Sequence, residues 1–281
     1  MKGRKMKTLY ITDLDGTMLN SKGELSPYSF NGVKKLIEGG VLFSVATART
    51  AATVTDMFRG TGLNSPIALM NGVCVYDSAA GRSLISHSID KNSARRVLEI
   101  YAAHNKHPML YFDKGDFLEI VYTEIDNAHQ YEYITDRNAR RLKKFVRADG
   151  YELDGKDDLL YIVSFDKPSE LEDIYSEIKE IEGVVSCFYA DNYTDCNFLE
   201  TMNSSISKGT AASEIKKLTG AERVIAFGDN LNDIPLFEAA DEAYAVSNGH
   251  EALKKIATGV IGTNDSDAVI RFIMEREGID L

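Results

Sequence analysis

At both ends of this chain, short apolar, β-rich runs alternate with segments of helical periodicity. Strands joined through helices run the same way, so the alternation implies a parallel sheet covered by helices. TLYIT (8–12) reads as a strand, and Ser26-Pro27 then supply an N-cap and a first helical position. Phe30, Val33, Leu36 and Ile37 fall on one helical face, which Gly39-Gly40 ends. VLFSVATA (41–48) and PIALM (66–70) read as further strands, around a segment carrying Val54, Met57 and Phe58 on one face. The same texture returns after residue 197. NFLETM, VIAFGD and AYAV (243–246) read as strands, and SKGTAASEIKKLTG, NDIPLFEAA and GHEALKKIA as helices.

The middle of the chain differs. MLYFDKGDFLEIVYT, LLYIVSF and VVSCFYA are apolar runs, the first split by a short polar separator that suggests antiparallel pairing. Helix-like segments lie near 92–104, 127–143 and 168–182. At 281 residues the chain is longer than one typical domain. The expectation is an α/β core with a doubly wound, Rossmann-like parallel sheet, built from 1–85 and 197–281 and interrupted by an inserted α+β unit over 86–196.

In such a sheet, ligands bind outside the carboxyl ends of the strands. Asp13, Thr47 and Asp229 fall at or just past those ends, and Lys208 opens a helix whose N-terminal N–H groups favour an anion. Asp13 and Asp15 pose a problem, because two like charges so close raise one another's pKa unless something positive lies beside them. A hard divalent cation answers it. Mg²⁺ takes oxygen ligands, and Asp13 and Asp229 are its natural side-chain ligands. In an extended segment i and i+2 point the same way, so Asp13 and Asp15 can address one substrate; Gly16 lets the chain turn, and Thr17 caps or bonds locally.

The formal net charge of −11 argues against nucleic acid or an anionic membrane as the main partner. The basic run RNARRLKK (137–144) reads as a solvated helix face. Three cysteines without CxxC spacing, Cys74, Cys187 and Cys196, suit reduced, buried thiols in a cytoplasmic protein, a Cys187–Cys196 disulfide being the competing reading. No segment approaches the ~18 apolar residues of a membrane span. His104 and His107 read as surface histidines rather than a metal pair, and Asn71-Gly72 as a turn.

Taken together and in order, DLDGT, ATAR, SKGTA and GDNLND resemble the four motifs of the haloacid dehalogenase (HAD) superfamily of phosphotransferases. The insertion resembles the type IIB (C2-type) cap of the Cof-type sugar phosphatases. The resemblance implies Asp13 as the nucleophile that becomes an aspartyl phosphate and Asp15 as the general acid and base. It implies Thr47 and Lys208 as holders of the phosphoryl oxygens, and Asp13, Asp229 and the backbone carbonyl of Asp15 as Mg²⁺ ligands. Asn232 and Asp233 become supporting residues, and Asn71-Gly72, matching a segment that in similar proteins leads from core toward cap near the site, gains a substrate role as the alternative to a plain turn. Relatives commonly carry glycine where Ala48 stands, which puts the local backbone and the orientation of Arg49 in question. The implied activity is Mg²⁺-dependent hydrolysis of a small phosphorylated metabolite, with the cap excluding water and setting specificity. Rival readings are a hexose-phosphate mutase and a binding module phosphorylated on Asp13 without turnover. The sequence is silent on oligomeric state.

Overall fold

The computed structural model describes residues 6–138, 142–191 and 194–281. It divides into two units, residues 1–85 with 206–281, and residues 86–205.

The first unit carries the expected parallel sheet, in the order Gly259–Ile261, Glu242–Val246, Arg223–Gly228, Thr8–Thr12, Leu42–Val45. Alternation along each strand assigns its two faces. Leu9, Ile11, Val224, Ala226, Ala243 and Ala245 pack against Ala211, Ala212, Ile215, Leu236 and Phe237, from helices Lys208–Thr219 and Ile234–Ala239. From the other face Phe227 and Tyr244 meet Phe272 of helix Ala268–Glu277, with ring centroids 5.6 and 4.3 Å apart. The sheet is therefore doubly wound. Thr12 stands level with both Phe227 and Val45, so the chain leaves all three strands on one edge at Asp13, Asp229 and Thr47.

Beside this sheet, Ile67–Leu69 and Cys74–Asp77 pair antiparallel, joined by the turn Met70–Gly72. Gly72 has φ +100°, and a Cβ there would strike the Ser207 carbonyl. Only glycine lets this turn pass the start of the Lys208 helix.

The second unit is a six-stranded sheet, Val184–Ala190, Asn197–Asn203, Leu159–Asp166, Met109–Asp113, Leu118–Tyr122, Lys143–Arg147. The expected hairpin is present, with Leu110 opposite Val121. Leu110, Phe112, Ile162 and Leu199 turn to helices Lys91–Ala103 and Pro168–Ile178. From the alternate positions Phe165, Phe198 and Tyr189 stack in a row, with Tyr133 of helix Ala128–Asn138 edge-on to Phe198.

Two sequence expectations need correction. NFLETM was expected in the core, but Asn197–Asn203 pairs antiparallel with Val184–Ala190 and with Leu159–Asp166. The unit boundary therefore falls after Ser205 rather than before Asn197. A single apolar run carries no mark of which sheet it joins. The helix expected to reach 143 ends at Asn138, and Lys143–Arg147 is a strand parallel to Leu118–Tyr122. Of the basic run, 139–141 lie outside the described residues, while Lys143 is buried with its ammonium over the Tyr111 ring.

All three cysteines are free thiols, Cys74 and Cys196 buried as expected but Cys187 only half-buried. His104 and His107 pair with separate carboxylates, Glu177 at 2.8 Å and Asp126 at 2.6 Å. Among the described residues no helix is long and apolar enough to cross a membrane.

Burial pushes Glu200, in strand Asn197–Asn203, from an ordinary 4.5 up to about 7, against the pull of the Tyr189 hydroxyl and Lys143. The folded state then binds this proton more tightly than the unfolded chain, so Glu200 lowers stability as pH rises from about 4.5 to 7. Glu200→Gln should accordingly gain on wild type across that window, by on the order of 1–3 kcal/mol. Urea unfolding at pH 5 and pH 8 measures it, and a pH-independent difference contradicts the assignment.

Candidate active site

Asp13 follows directly from strand Thr8–Thr12, and its N–H still donates to Phe227 at 2.9 Å, as if the ladder ran one residue further. Its side chain is 7% exposed and its carboxylate meets the Lys208 ammonium at 2.8 Å. That ammonium, itself fully buried, also reaches Asp233 Oδ1 at 2.7 Å. The other oxygen of Asp233 accepts the N–H groups of Asp229 and Asn230 at 3.0 and 3.1 Å, which fixes the loop after strand Arg223–Gly228. Asp229 receives the Thr17 hydroxyl at 2.9 Å and gives its carbonyl to the His250 N–H at 2.6 Å. Thr17 was expected to bond locally; its partner is 212 residues away.

Carboxylate oxygens of Asp13, Asp229 and Asp233 lie within 4.8 Å of one another. Burial pushes the Asp13 carboxyl well above the ordinary carboxylate range; Lys208 opposes that, and Asp233 and Asp229 add to it. Asp229 is raised for the same reasons, burial first and Asp233 second. Burial pulls Lys208 toward its neutral form, but the two carboxylates outweigh it and hold its pKa above that of a free lysine. With all three acids ionised, one ammonium leaves two negative charges uncompensated. An all-oxygen donor set with that deficit fits a hard dication. Both oxygens of Asp233 are already engaged, so Asp13 and Asp229 are the residues that would hold it.

Asp15 stands apart. Its side chain is 54% exposed and takes a forked pair of bonds from Arg49, Nε to Oδ2 at 2.7 Å and Nη2 to Oδ1 at 2.6 Å. The two aspartates therefore have separate cations, and nothing in the reading of the sequence had assigned Arg49 to Asp15. Gly16, at φ +75°, turns the chain just after Asp15, and Asn248 Nδ2 holds its carbonyl at 2.8 Å. Asn248 in turn accepts the Asn264 N–H, and Asn264 Nδ2 donates to Leu19 O. These two asparagines brace the acidic loop and carry no motif that could have announced them.

Thr47 is buried and belongs to a turn that its own backbone closes, donating to Ala68 O and accepting from Asn71, each at 3.0 Å. Its hydroxyl accepts the Arg49 N–H at 3.1 Å. Ala48 is exposed and is not among the positive-φ residues, so its methyl group brings no strain. Asn71 does take φ +56°, and Asn232 Nδ2 donates to its side chain at 3.3 Å.

Fold and site together define an α/β protein with a carboxylate cluster built around a buried lysine at the carboxyl edge of a doubly wound parallel sheet. The chain belongs to the haloacid dehalogenase-like hydrolases, whose family model matches residues 10–273. It is 26% identical over 278 residues to a 5-amino-6-(5-phospho-D-ribitylamino)uracil phosphatase of Bacillus subtilis, covering 95% of this chain and 96% of that one. It is 24% identical to a pyridoxal phosphate phosphatase of Escherichia coli, covering 93% and 95%. Among solved structures, a HAD subclass IIB sugar phosphatase superposes with a TM-score of 0.72 at 16% identity, over 98% of this chain and 100% of that one. Both relatives and this neighbour are named as phosphatases.

A Cβ on Gly16 would collide with Asp229 Oδ2, and φ +75° is strained for any other residue. Gly16→Ala should therefore cost about 1–3 kcal/mol of stability, since it adds backbone strain and displaces a half-buried carboxylate. Denaturant unfolding measures this, and an unchanged midpoint contradicts the close approach.

Proposed function

We propose that the protein is a Mg²⁺-dependent phosphomonoesterase that acts on small phosphorylated metabolites through an aspartyl phosphate on Asp13. The observation that carries the reading is the Asp13–Lys208–Asp233 triad beside Asp229, buried at the edge where an α/β sheet takes its ligands. Asp13 is the nucleophile: its carboxylate oxygen attacks phosphorus as the ester P–O bond breaks, and the departing oxygen keeps that electron pair. Asp15 gives that oxygen its proton. In the second half Asp15 takes a proton from water, the water oxygen attacks phosphorus, and the acyl P–O bond breaks to restore Asp13.

Lys208 keeps Asp13 usable as a nucleophile in a buried setting and, with Thr47, draws the phosphoryl oxygens into place. Asp233 holds Lys208 and the Asp229 loop at once. Mg²⁺, held by Asp13, Asp229 and the Asp15 carbonyl, would neutralise charge that develops on the phosphoryl group. Asn71, Ala48 and Asn232 line the loops next to these groups. The second unit selects the leaving group. The relatives' names span a ribitylamino-uracil phosphate and pyridoxal phosphate, which supports a small, mostly organic leaving group and leaves a sugar phosphate as the other substrate class to assay.

Phosphate release from p-nitrophenyl phosphate, pyridoxal 5′-phosphate and hexose phosphates should require Mg²⁺ and stop with chelator. Asp13→Asn should lower it by about 10³-fold or more, as loss of a nucleophile does. Equal release from wild type and Asp13→Asn removes the nucleophile assignment. Conversion of a hexose phosphate to its isomer with little free phosphate would make the enzyme a mutase.

A further inference from the structure

We propose that Arg49 is a positioning residue for Asp15, fixing the carboxyl group in the orientation from which it protonates the leaving group. This rests on the phosphatase reading above. Asp15 would otherwise be the least constrained group of the site. It is more than half exposed, it follows the last strand residue by three positions, and the glycine next to it has positive φ. A side chain in that setting samples several rotamers, and proton transfer demands one.

Arg49 removes that freedom. Its guanidinium approaches in the forked arrangement, one nitrogen to each carboxyl oxygen at 2.7 and 2.6 Å, which defines the plane of the carboxyl group as well as its place. The arginine is itself held at its root. Its N–H donates to Thr47 Oγ1 at 3.1 Å and its carbonyl accepts from Met70 at 3.1 Å. Thr47 is fixed in turn to Ala68, on strand Ile67–Leu69. Rigidity thus passes from a strand through Thr47 and Arg49 to an exposed acid. The fork also explains why arginine stands here, because a lysine would supply charge without a plane. The pair is exposed enough that its own contribution to stability is small, so its value lies in geometry.

A positioning role for the acid has a signature that a structural role lacks. Departure of an alkoxide needs a proton, whereas nitrophenolate leaves without one. In a mechanism through a phosphoenzyme, kcat/KM reports only the steps up to loss of the leaving group, so it isolates the acid function. Arg49→Ala and Arg49→Lys would be assayed with Mg²⁺ against two esters. One is p-nitrophenyl phosphate; the other is pyridoxal 5′-phosphate or glucose 6-phosphate, whichever wild type turns over faster.

The expected result for Arg49→Ala is a loss of about 10- to 100-fold in kcat/KM on the alkyl ester and under about threefold on the aryl ester. Arg49→Lys should recover only a minor part of the alkyl-ester activity, and added guanidinium ion should raise the Arg49→Ala rate on the alkyl ester selectively. Thermal unfolding at wild-type temperature excludes a folding defect. Equal losses on both esters, no loss, a gain, or full recovery by lysine would each overturn the inference. The phosphatase reading fails separately, when wild type hydrolyses neither ester or Asp13→Asn equals wild type.

Discussion

One buried ammonium organises the catalytic edge. Lys208 is enclosed with Asp13 and Asp233, and a charge so placed is tolerable only while both partners hold it. The requirement ties together three parts of the chain far apart in sequence: the end of strand Thr8–Thr12, the first residue of helix Lys208–Thr219, and the turn before helix Ile234–Ala239. The helix bearing Lys208 starts from a Ser207 cap that bonds reciprocally with Thr210, so the lysine enters from a fixed origin. Asp233 carries the constraint onward, because the oxygen not used by Lys208 fixes the N–H groups of Asp229 and Asn230. Moving any one of these groups would leave a buried charge or a buried donor unpaired.

The sheet makes this arrangement inexpensive. Parallel strands in register release their chains at one edge, so Asp13, Thr47 and Asp229 arrive there without special backbone devices. Glycine is needed where segments cross closely, as at Gly72 beside the Ser207 carbonyl and at Gly16 beside the Asp229 carboxylate. Each admits an approach that any side chain would block.

What could be read from the sequence follows from the range over which the signal acts. Strand and helix periodicity is local, and so the parallel core, the Ser26-Pro27 helix start and the hairpin at 109–122 were legible. The motif residues were legible because their chemistry is specific to their type. Partnership across the chain was not. Nothing near Asn197–Asn203 says that its neighbours are Val184–Ala190 and Leu159–Asp166, and nothing near Thr17 points to Asp229. Asn248 and Asn264 act through amide groups that any polar loop contains. Arg49 was seen as a motif member, yet its ion pair emerges only when two strand ends are laid side by side.

That ion pair bears on how one short segment can use two like acids differently. Asp13 and Asp15 are separated by one residue, yet one carboxylate is enclosed with a buried lysine and the other lies in solvent against an arginine. Environment, more than residue type, sets what an acid does in a site. Burial makes the charge on Asp13 depend on cations beside it, which suits a nucleophile whose reactivity must appear only when the site is assembled. Exposure leaves Asp15 in contact with water, which suits a group that exchanges protons twice in one cycle. The difference arises where the strand stops at Thr12: Asp13 directly follows it and stays enclosed, whereas Asp15, two residues on and just before the turn at Gly16, is exposed. A residue with a side chain at 16 would strike the Asp229 carboxylate and strain the backbone directly after Asp15.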